Sequence, residues 1–297
     1  MAYTKTTWVN NSAPALNATN LNKIETGIYD AHNTIGTGTL ATANKTLIGA
    51  INEHESDIIE LNNLVGSAAG WHNSIFRGKS LGNALTSAQS AAIQNGTFTD
   101  LFIGDYWTIN NVKWRIAAFD PYYNCGDTNL NLHHIAVVPD TVLYSHIMND
   151  TNITDGGYAG SKMRSEGLAD AISAVNNAFG SDHVIQSHRI IMTNAVSSGK
   201  PSGWAWMDSL ACELLTEMQV YGARAWGNAA QSGYDVGTQN FQLPLFALDP
   251  TKMHTRQNYW LQDVVSAASF ARVTYDGFSG YYYASYSYGV RPLSLIR

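Results

Sequence analysis

The segment ASFARVTYDGFSGYYYASYSYGVRPLSLIR, residues 267–297, carries the strongest structural signal in the chain. Six of the sixteen tyrosines of the chain fall within fourteen residues of it. The alternation of aromatic and small residues predicts strands over residues 267–273 and 281–291. Tyr275-Asp276-Gly277 is typical of a turn between two strands. The chain is therefore expected to end in antiparallel β-structure.

The predicted strand 281–291 has two chemically different faces, because side chains alternate along a strand. One face carries Tyr282, Ala284, Tyr286, Tyr288 and Val290, and the other carries Tyr281, Tyr283, Ser285 and Ser287. Tyrosine offers rigid contact area and a hydroxyl at low entropic cost, which suits binding sites. Aromatic packing between strands is the alternative interpretation. We interpret the turn and the Tyr281/Tyr283 face as a binding surface, and Tyr286 and Tyr288 as packing residues.

The segments that precede this end mix helical and strand-like patterns. Helices are predicted over residues 84–94, 168–179 and 209–220, the first capped by Thr86 or Ser87 and stopped by Gly96. Strands are predicted over residues 100–103, 106–109, 112–119 and 134–139, with Asn110-Asn111 as a tight turn. The expected fold class is α+β, with helices set among antiparallel strands.

The first 70 or so residues have a different pattern, in which apolar residues recur at spacings of three and four. The first series is Leu21, Ile24, Ile28, Ala31 and Ile35, and the second is Leu47, Ile51, His54, Ile58, Leu61 and Val65. The run Gly36-Thr37-Gly38-Thr39 separates them. Such heptad seams predict an N-terminal α-helical coiled-coil stalk.

Helices of two or three heptads are too short to be stable alone, so each seam must pack against another copy or against the rest of the chain. The stripe is narrow and its flanks are polar, which favours self-association. β-branched residues at a positions favour two strands. His54, at a d position, either helps to set the oligomeric state or turns to the edge of the seam. Residues 1–70 are interpreted as an attachment and oligomerisation region and residues 71–297 as a second domain, with a hinge at residues 66–70.

The composition limits the classes of partner. The net charge of −6 and the pI of about 5.8 provide no basic stripe, so no nucleic acid is expected as a partner. Charged residues make up only 13% of the chain. A surface made polar by amides and hydroxyls suits neutral ligands such as glycans, although a compositional habit of the source genome is an equal explanation. No apolar run is long enough for membrane insertion, and the N-terminus has no signal-peptide pattern, so synthesis in a cytoplasm is expected.

Neither a metal site nor a cofactor site is predicted. His133 and His134 are adjacent and would point to opposite faces of a strand, and His183 and His188 have no cysteine or carboxylate at a metal-site spacing. The two cysteines, Cys125 and Cys212, exclude a disulfide framework, and two buried thiols are favoured over a single bridge. A glycan-cleaving enzyme needs a pair of carboxylates, which the sequence neither shows nor excludes. We expect no catalytic residues.

Several segments resemble a known family. The ending YWLQDVVSAASFARV…ASYSYGVRPLSLI is similar to the C-terminal half of the C-type-lectin fold in phage tail receptor-binding proteins. More narrowly, it resembles the targets of diversity-generating retroelements, whose variable stretch is closed by an ASxSxGVRP-like terminus. The segments FRGKSLG, DLFIGDYWTINNVKWRIAAFD, SGWAWMD and QVYGARAWG are also similar to phage tail proteins. So is TWVNNSAPALNATNLNKIETGIYDAHNTI near the N-terminus.

The resemblance implies a homotrimeric fibre tip, in conflict with the preference for two strands. It implies a virion protein that is assembled in the host cytoplasm, binds a glycan or protein receptor on the host cell, and joins other phage tail proteins through its N-terminus. By this resemblance the ligand-facing positions are Arg272, Thr274, Tyr275, Asp276, Phe278, Ser279, Tyr281, Tyr282 and Tyr283. Gly289, Val290, Arg291 and Pro292 match the fixed scaffold.

Two further classes of function stay open at this point. One is a purely structural tail-fibre or baseplate component that contacts only other virion proteins, and the other is a wall-degrading enzyme. The formylglycine-generating enzymes share a related fold but need a reactive cysteine pair near the C-terminal end, and no cysteine follows Cys212. The Glu-Pro-Asn and Gln-Pro-Asp tripeptides of calcium-dependent lectins do not occur in the chain.

Overall fold

A computed structural model describes residues 17–35, 40–65, 68–192, 204–226 and 241–297. Its chain divides into two compact units, Met1–Asn63 and Leu64–Arg297. Helices and largely antiparallel strands are mixed along the chain, which confirms the predicted α+β class. The functional division at residue 70, between an attachment region and a binding domain, stays a prediction.

The described residues of the first unit form helix α1 (Ala18–Ile35) and most of helix α2 (Leu47–Val65), over the two predicted seams. The predicted break at residues 36–39 lies outside the described residues. Helix α2 is capped at Thr46, whose hydroxyl accepts a hydrogen bond from the N–H of Gly49 at 3.0 Å. The Glu53 carboxylate accepts hydrogen bonds from the N–H groups of Ala43 and Asn44 at 2.8 and 2.9 Å. The start of α2 is therefore defined by local hydrogen bonds.

The apolar stripe of α2 is exposed within this chain. Ile51 and Ile58 expose 56% and 58% of their surface, and His54 is exposed as well. In α1, Ile28 and Ile35 are similarly open. The described part of the chain therefore does not cover the seams, and the partner that covers them stays a prediction.

The second unit contains five helices and two larger sheets among its described residues. Its helices are α3 (Ala68–Asn73), α4 (Ser87–Gln94), α5 (Ala169–Phe179), α6 (Glu217–Tyr221) and α7 (Pro244–Leu248), with a π-helical turn at Met163–Gly167 and 3₁₀ turns at Ser181–His183 and Pro250–Lys252. Its strands are β1 (Tyr106–Ile109), β2 (Val112–Phe119), β3 (Ile135–Pro139), β4 (Tyr144–Ile147), β5 (Val184–Ile185), β6 (His188–Met192), β7 (Trp204–Asp208), β8 (Glu213–Leu214), β9 (Tyr259–Ser266), β10 (Ser269–Val273), β11 (Ser279–Tyr283), β12 (Ser287–Val290) and β13 (Pro292–Ile296). The first sheet has the order β1-β2-β3-β13-β5, with β8 paired to β13. The second has the order β11-β10-β9-β12-β4, and β6 pairs with β7 separately.

Local signals fix several of these elements where the sequence predicts them. Helix α4 begins at Thr86 with a capping box, in which Thr86 and Gln89 exchange hydrogen bonds of 3.0 and 3.2 Å. Strands β1 and β2 have the predicted bounds. Asn110 and Asn111 between them both have positive φ, +51° and +63°, as a tight hairpin turn requires.

Other predicted elements are wrong. Residues 100–103 form no strand, because the backbone turns there with φ of +54° at Asp100. Residues 209–220 are not one helix, since β8 intervenes and a capping box at Thr216 starts α6 only there. The hinge predicted at residues 66–70 overlaps α3, which begins at Ala68. Strand 281–291 is two strands, because the chain turns between them and the N–H of Tyr286 donates to the carbonyl of Tyr283.

The second sheet separates two hydrophobic clusters. Consecutive residues of β9 alternate between them, as in any strand buried on both faces. Tyr259 and Leu261 belong to the larger cluster, and Trp260 belongs to the smaller one with Phe270 of β10. Strand β9, which pairs with β10, is therefore packed on both faces.

Arg291 connects the two sheets. It lies between β12 and β13 and is fully buried, as its place in the terminal motif predicts. Its Nε donates to the carbonyl of Pro139 at 2.9 Å, and its Nη1 donates to the carbonyl of Met253 and to the hydroxyl of Tyr259, both at 3.1 Å. The guanidinium also stacks over the ring of Phe246. A buried charge is tolerated here because several acceptors surround it.

Replacing Arg291 by alanine is expected to lower the free energy of unfolding by about 3 kcal/mol, since the buried Pro139 carbonyl and the Tyr259 hydroxyl would each lose a hydrogen bond from a charged donor. The measurement is urea unfolding of the full chain. Arg256→Asn is the matched control, because Arg256 is exposed and asparagine tolerates its φ of +61°. A variant as stable as the control would contradict the role of Arg291.

Candidate binding surface

The predicted binding surface lies on a hairpin formed by β10 and β11. The two strands pair in register from Ser269↔Tyr283 to Val273↔Ser279. The loop between them is closed by a hydrogen bond of 2.8 Å from the N–H of Thr274 to the carbonyl of Phe278. Gly277 has a φ of +95°, which favours glycine. The hairpin is therefore well defined by its own hydrogen bonds.

Neighbouring segments hold the loop from outside. The N–H of Tyr275 donates to Oδ1 of Asn258 at 2.8 Å, just before β9. The hydroxyl of Tyr221, at the end of α6, donates to the carbonyl of Gly277 at 3.0 Å. Burial raises the pKa of Tyr221, so this hydroxyl keeps its proton. These contacts fix the backbone and leave the side chains of the loop available.

Four aromatic side chains of the hairpin are exposed. Single exposed hydrophobic residues are common on protein surfaces, but a cluster of them marks an interaction site. Tyr275 and Phe278 in the loop expose 62% and 70% of their surface, and Tyr281 and Tyr283 in β11 expose 47% and 50%. Trp226 joins them, since its ring packs edge-on against Tyr281 at 4.8 Å. We call these five residues the aromatic surface.

The other face of the hairpin is packed. Tyr282 is half-buried, and its ring meets Tyr286 and Tyr288 at 4.5 and 5.6 Å. The Arg272 guanidinium lies over Tyr282 and Tyr288, at 5.1 and 4.5 Å from the ring centres. Arg272 and Tyr282 thus lie on the side opposite Tyr281 and Tyr283. The division of tyrosines between two faces is confirmed, even though a turn interrupts the strand.

The remaining predicted site residues lie in and beside the loop. Thr274 is half-buried and donates through its hydroxyl to the carboxylate of Asp276, which is exposed. Ser279 is half-buried. Tyr286 was interpreted as a packing residue, but it exposes 48% of its surface. Its ring meets that of Tyr282 edge-on, so Tyr286 packs against one tyrosine but is not a buried packing residue.

A buried carboxylate, which no pattern in the sequence indicates, accepts hydrogen bonds from the hairpin and from the residue beside it. Glu217, the first residue of α6, is fully buried. Its Oε1 accepts a hydrogen bond of 2.7 Å from the Ser279 hydroxyl, and its Oε2 accepts one of 3.1 Å from the N–H of Trp226. The Glu217 side chain thus links β11 to the backbone of Trp226. Trp226 and Glu217 are distant from the hairpin in sequence, which is why periodicity cannot identify them.

Asp263 of β9 lies next to Glu217. Its Oδ2 accepts a hydrogen bond of 2.7 Å from the N–H of Glu217, and its Oδ1 lies 3.8 Å from Nε of Arg224. Burial and the neighbouring Glu217 carboxylate raise the pKa of Asp263 to about 7. The hydrogen bond and the Arg224 charge oppose this shift. The hairpin therefore rests on a carboxyl group that titrates near neutrality.

The other candidates from the sequence are separate from this surface. Nδ1 of His133 donates to the carboxylate of Asp120 at 2.6 Å, and His134 is buried. Within the described ranges no group of three or more metal-ligating side chains occurs, and no helix there could cross a membrane. Cys125 and Cys212 are not joined by a disulfide. Side chains of His188 and Trp204 lie outside the described residues.

Comparison of the chain with protein-family models, with curated proteins and with solved structures found no match. The resemblance to phage tail receptor-binding proteins therefore stays a prediction.

Ionisation of Asp263 is expected to lower the stability of the fold as the pH rises from about 4 to about 7. Asp263 has an ordinary pKa of 3.8 when unfolded, whereas in the fold it keeps its proton up to a pH of about 7. Its stabilising effect is thus complete below the unfolded pKa and is lost on the way to the folded pKa. Asp263→Asn retains an acceptor for the N–H of Glu217 and should remove this decline.

The measurement is the melting temperature at several pH values for the wild type and the Asp263→Asn variant. Other carboxylates titrate in both proteins, so the difference between the two curves isolates Asp263. Parallel curves between pH ~4 and ~7 would contradict the assignment.

Proposed function

We propose that this chain is an adhesion protein whose aromatic surface binds a receptor on a bacterial cell. The observation that carries the proposal is the group of five exposed aromatic side chains on and beside an anchored hairpin. Tyrosine and tryptophan dominate the binding energy of many interfaces, and an exposed cluster of them is costly without a ligand. Anchoring of the loop backbone lowers the entropic cost of binding.

In finer terms, we propose a phage tail-fibre tip or baseplate protein with a C-type-lectin-like binding domain and a coiled-coil stalk that makes it a homotrimer. Its place would be the tail tip of the virion, with the N-terminal region attached to other tail proteins. The sequence resemblance of residues 7–35 and of the GVRP terminus supports this, as do the two helices with open apolar stripes. The support thus consists of a sequence pattern and of the chemistry of exposed residues. The alternative is a structural component that binds only virion proteins. That alternative predicts no adsorption of the wild-type chain to cells in the test below.

The triple change Tyr275→Ala, Phe278→Ala and Tyr281→Ala is expected to abolish adsorption of the labelled full chain to intact cells of a bacterial panel. Each side chain should contribute about 1–2 kcal/mol, and simultaneous binding by several copies would amplify the loss. The matched control removes three exposed apolar residues elsewhere in the same unit, Leu132→Ala, Ile153→Ala and Leu248→Ala. Flow cytometry gives the bound fraction, and circular dichroism checks the fold. Normal adsorption by a folded triple variant would refute the proposed site.

The stalk makes a separate prediction. Ile51→Asp together with Ile58→Asp should convert the oligomer to a monomer, because charges at a positions of a coiled coil cannot be desolvated cheaply. Asn52→Asp with Ser56→Asp is the control, since it adds the same charge to exposed flanks of α2. The mass is read by light scattering after size-exclusion chromatography. If the seam variant keeps the oligomeric mass of the wild type, the second unit and not α2 drives assembly.

A further inference from the structure

A cleft of about 540 Å³ opens in the second unit, and none of its lining residues belongs to the aromatic surface. The lining residues are Thr128, Asn129, Leu130, Gln186, Ser187, Asp208 and Ser209. The volume lies within the range of about 300–1,000 Å³ that ligand sites have. We propose that this cleft is a second binding site, which takes a neutral saccharide.

The walls of the cleft are preformed by backbone hydrogen bonds. Ser187 and Ser209 hold each other, since the N–H of Ser209 donates to the carbonyl of Ser187 at 2.9 Å and the N–H of Ser187 donates to Oγ of Ser209 at 3.0 Å. The amide of Gln186 donates to the carbonyl of Ser209 at 3.0 Å. In another part of the lining, the N–H of Asn124 donates to the carbonyl of Leu130 at 2.9 Å and closes the loop that carries Thr128 and Asn129. A ligand would therefore meet an ordered site.

The charge in the cleft selects against anions. Among the described residues that line it, Asp208 is the sole charged one, and it is exposed. The nearby Arg164 guanidinium donates to the backbone carbonyl of Asp208 at 2.9 Å, whereas its ion pair is with the buried Glu213, also at 2.9 Å. The positive charge is thus compensated by Glu213, and the Asp208 carboxylate is left to accept hydrogen bonds from a ligand. An acidic or phosphorylated ligand would be repelled.

The polar groups match hydroxyls that both donate and accept. The carboxylate of Asp208 has two oxygens and can accept from two neighbouring hydroxyls, and such charge-assisted hydrogen bonds are strong. The amide of Asn129 and the hydroxyl of Thr128 each donate and accept. Leu130 and the carbon atoms of the polar side chains also give the cleft apolar surface, against which the C–H face of a sugar ring can pack. A sugar ring presents this hydroxyl chemistry without charge.

The test is saturation-transfer NMR on the full chain with four probes, the methyl glycosides of glucose, galactose, mannose and N-acetylglucosamine. At least one probe is expected to receive saturation in the wild type. Asp208→Asn should weaken its binding about tenfold, as loss of a hydrogen bond to a charged group does. Asp155→Asn is the matched control, because it neutralises an exposed carboxylate that does not line the cleft.

Two results would overturn the proposal: no saturation of any of the four probes by the wild type, or equal binding by Asp208→Asn and the control. The hairpin variant with Tyr275, Phe278 and Tyr281 changed to alanine separates the two sites. It should bind the probe as the wild type does. Loss of the probe in that variant, with retention in Asp208→Asn, would assign the saccharide to the aromatic surface and not to the cleft.

Discussion

The buried guanidinium of Arg291 is the contact on which the second unit depends. The chain leaves the second sheet at β12 and enters the first sheet at β13 on either side of this residue. Its hydrogen bonds reach the end of β3 through Pro139 and the start of β9 through Tyr259. Because a buried cation must keep its acceptors, the two sheets cannot shift relative to each other without breaking charge-assisted bonds. The hydrogen bonds of Arg291 therefore hold β9 in place, and β10 of the hairpin pairs with β9.

The hairpin combines a backbone that is held by hydrogen bonds with side chains that are exposed to solvent. The backbone of the terminal loop is held by Asn258, Tyr221 and Ser279, the last through Glu217. The exposed side chains of Tyr275 and Phe278, by contrast, make no part of the core. Substitution of those side chains should therefore leave the fold intact, since stability depends mainly on buried contacts. Such a separation lets one scaffold carry different binding chemistry at the same positions.

The sequence predicted the elements whose signals are local. Capping at Thr86, the turn at Asn110-Asn111 and the seams of α1 and α2 each depend on residues within about one turn or one hairpin. Strand β9 was not predicted. The two carboxyl groups that support the hairpin were not predicted either, because Glu217 and Asp263 are 46 residues apart and meet only through tertiary packing. Their hydrogen bond leaves no periodic trace. The predicted helix at residues 209–220 failed for the same reason, since pairing of β8 with β13 outweighs helical propensity.

The distribution of charge bears on the proposed adhesion, because it favours aromatic contacts over charged ones. Only 13% of the residues are charged, and several arginines are used inside the second unit. Arg115 donates to Asp140 at 2.6 Å, Arg164 to Glu213 at 2.9 Å, and Arg291 to backbone carbonyls. Pairs of this kind contribute little to the field outside the protein. The net charge of −6 does not attract a neutral ligand over long range, so the proposed affinity would come from desolvation and from close contact of tyrosine and tryptophan with the ligand. The aromatic surface supplies that contact on a backbone already fixed in place.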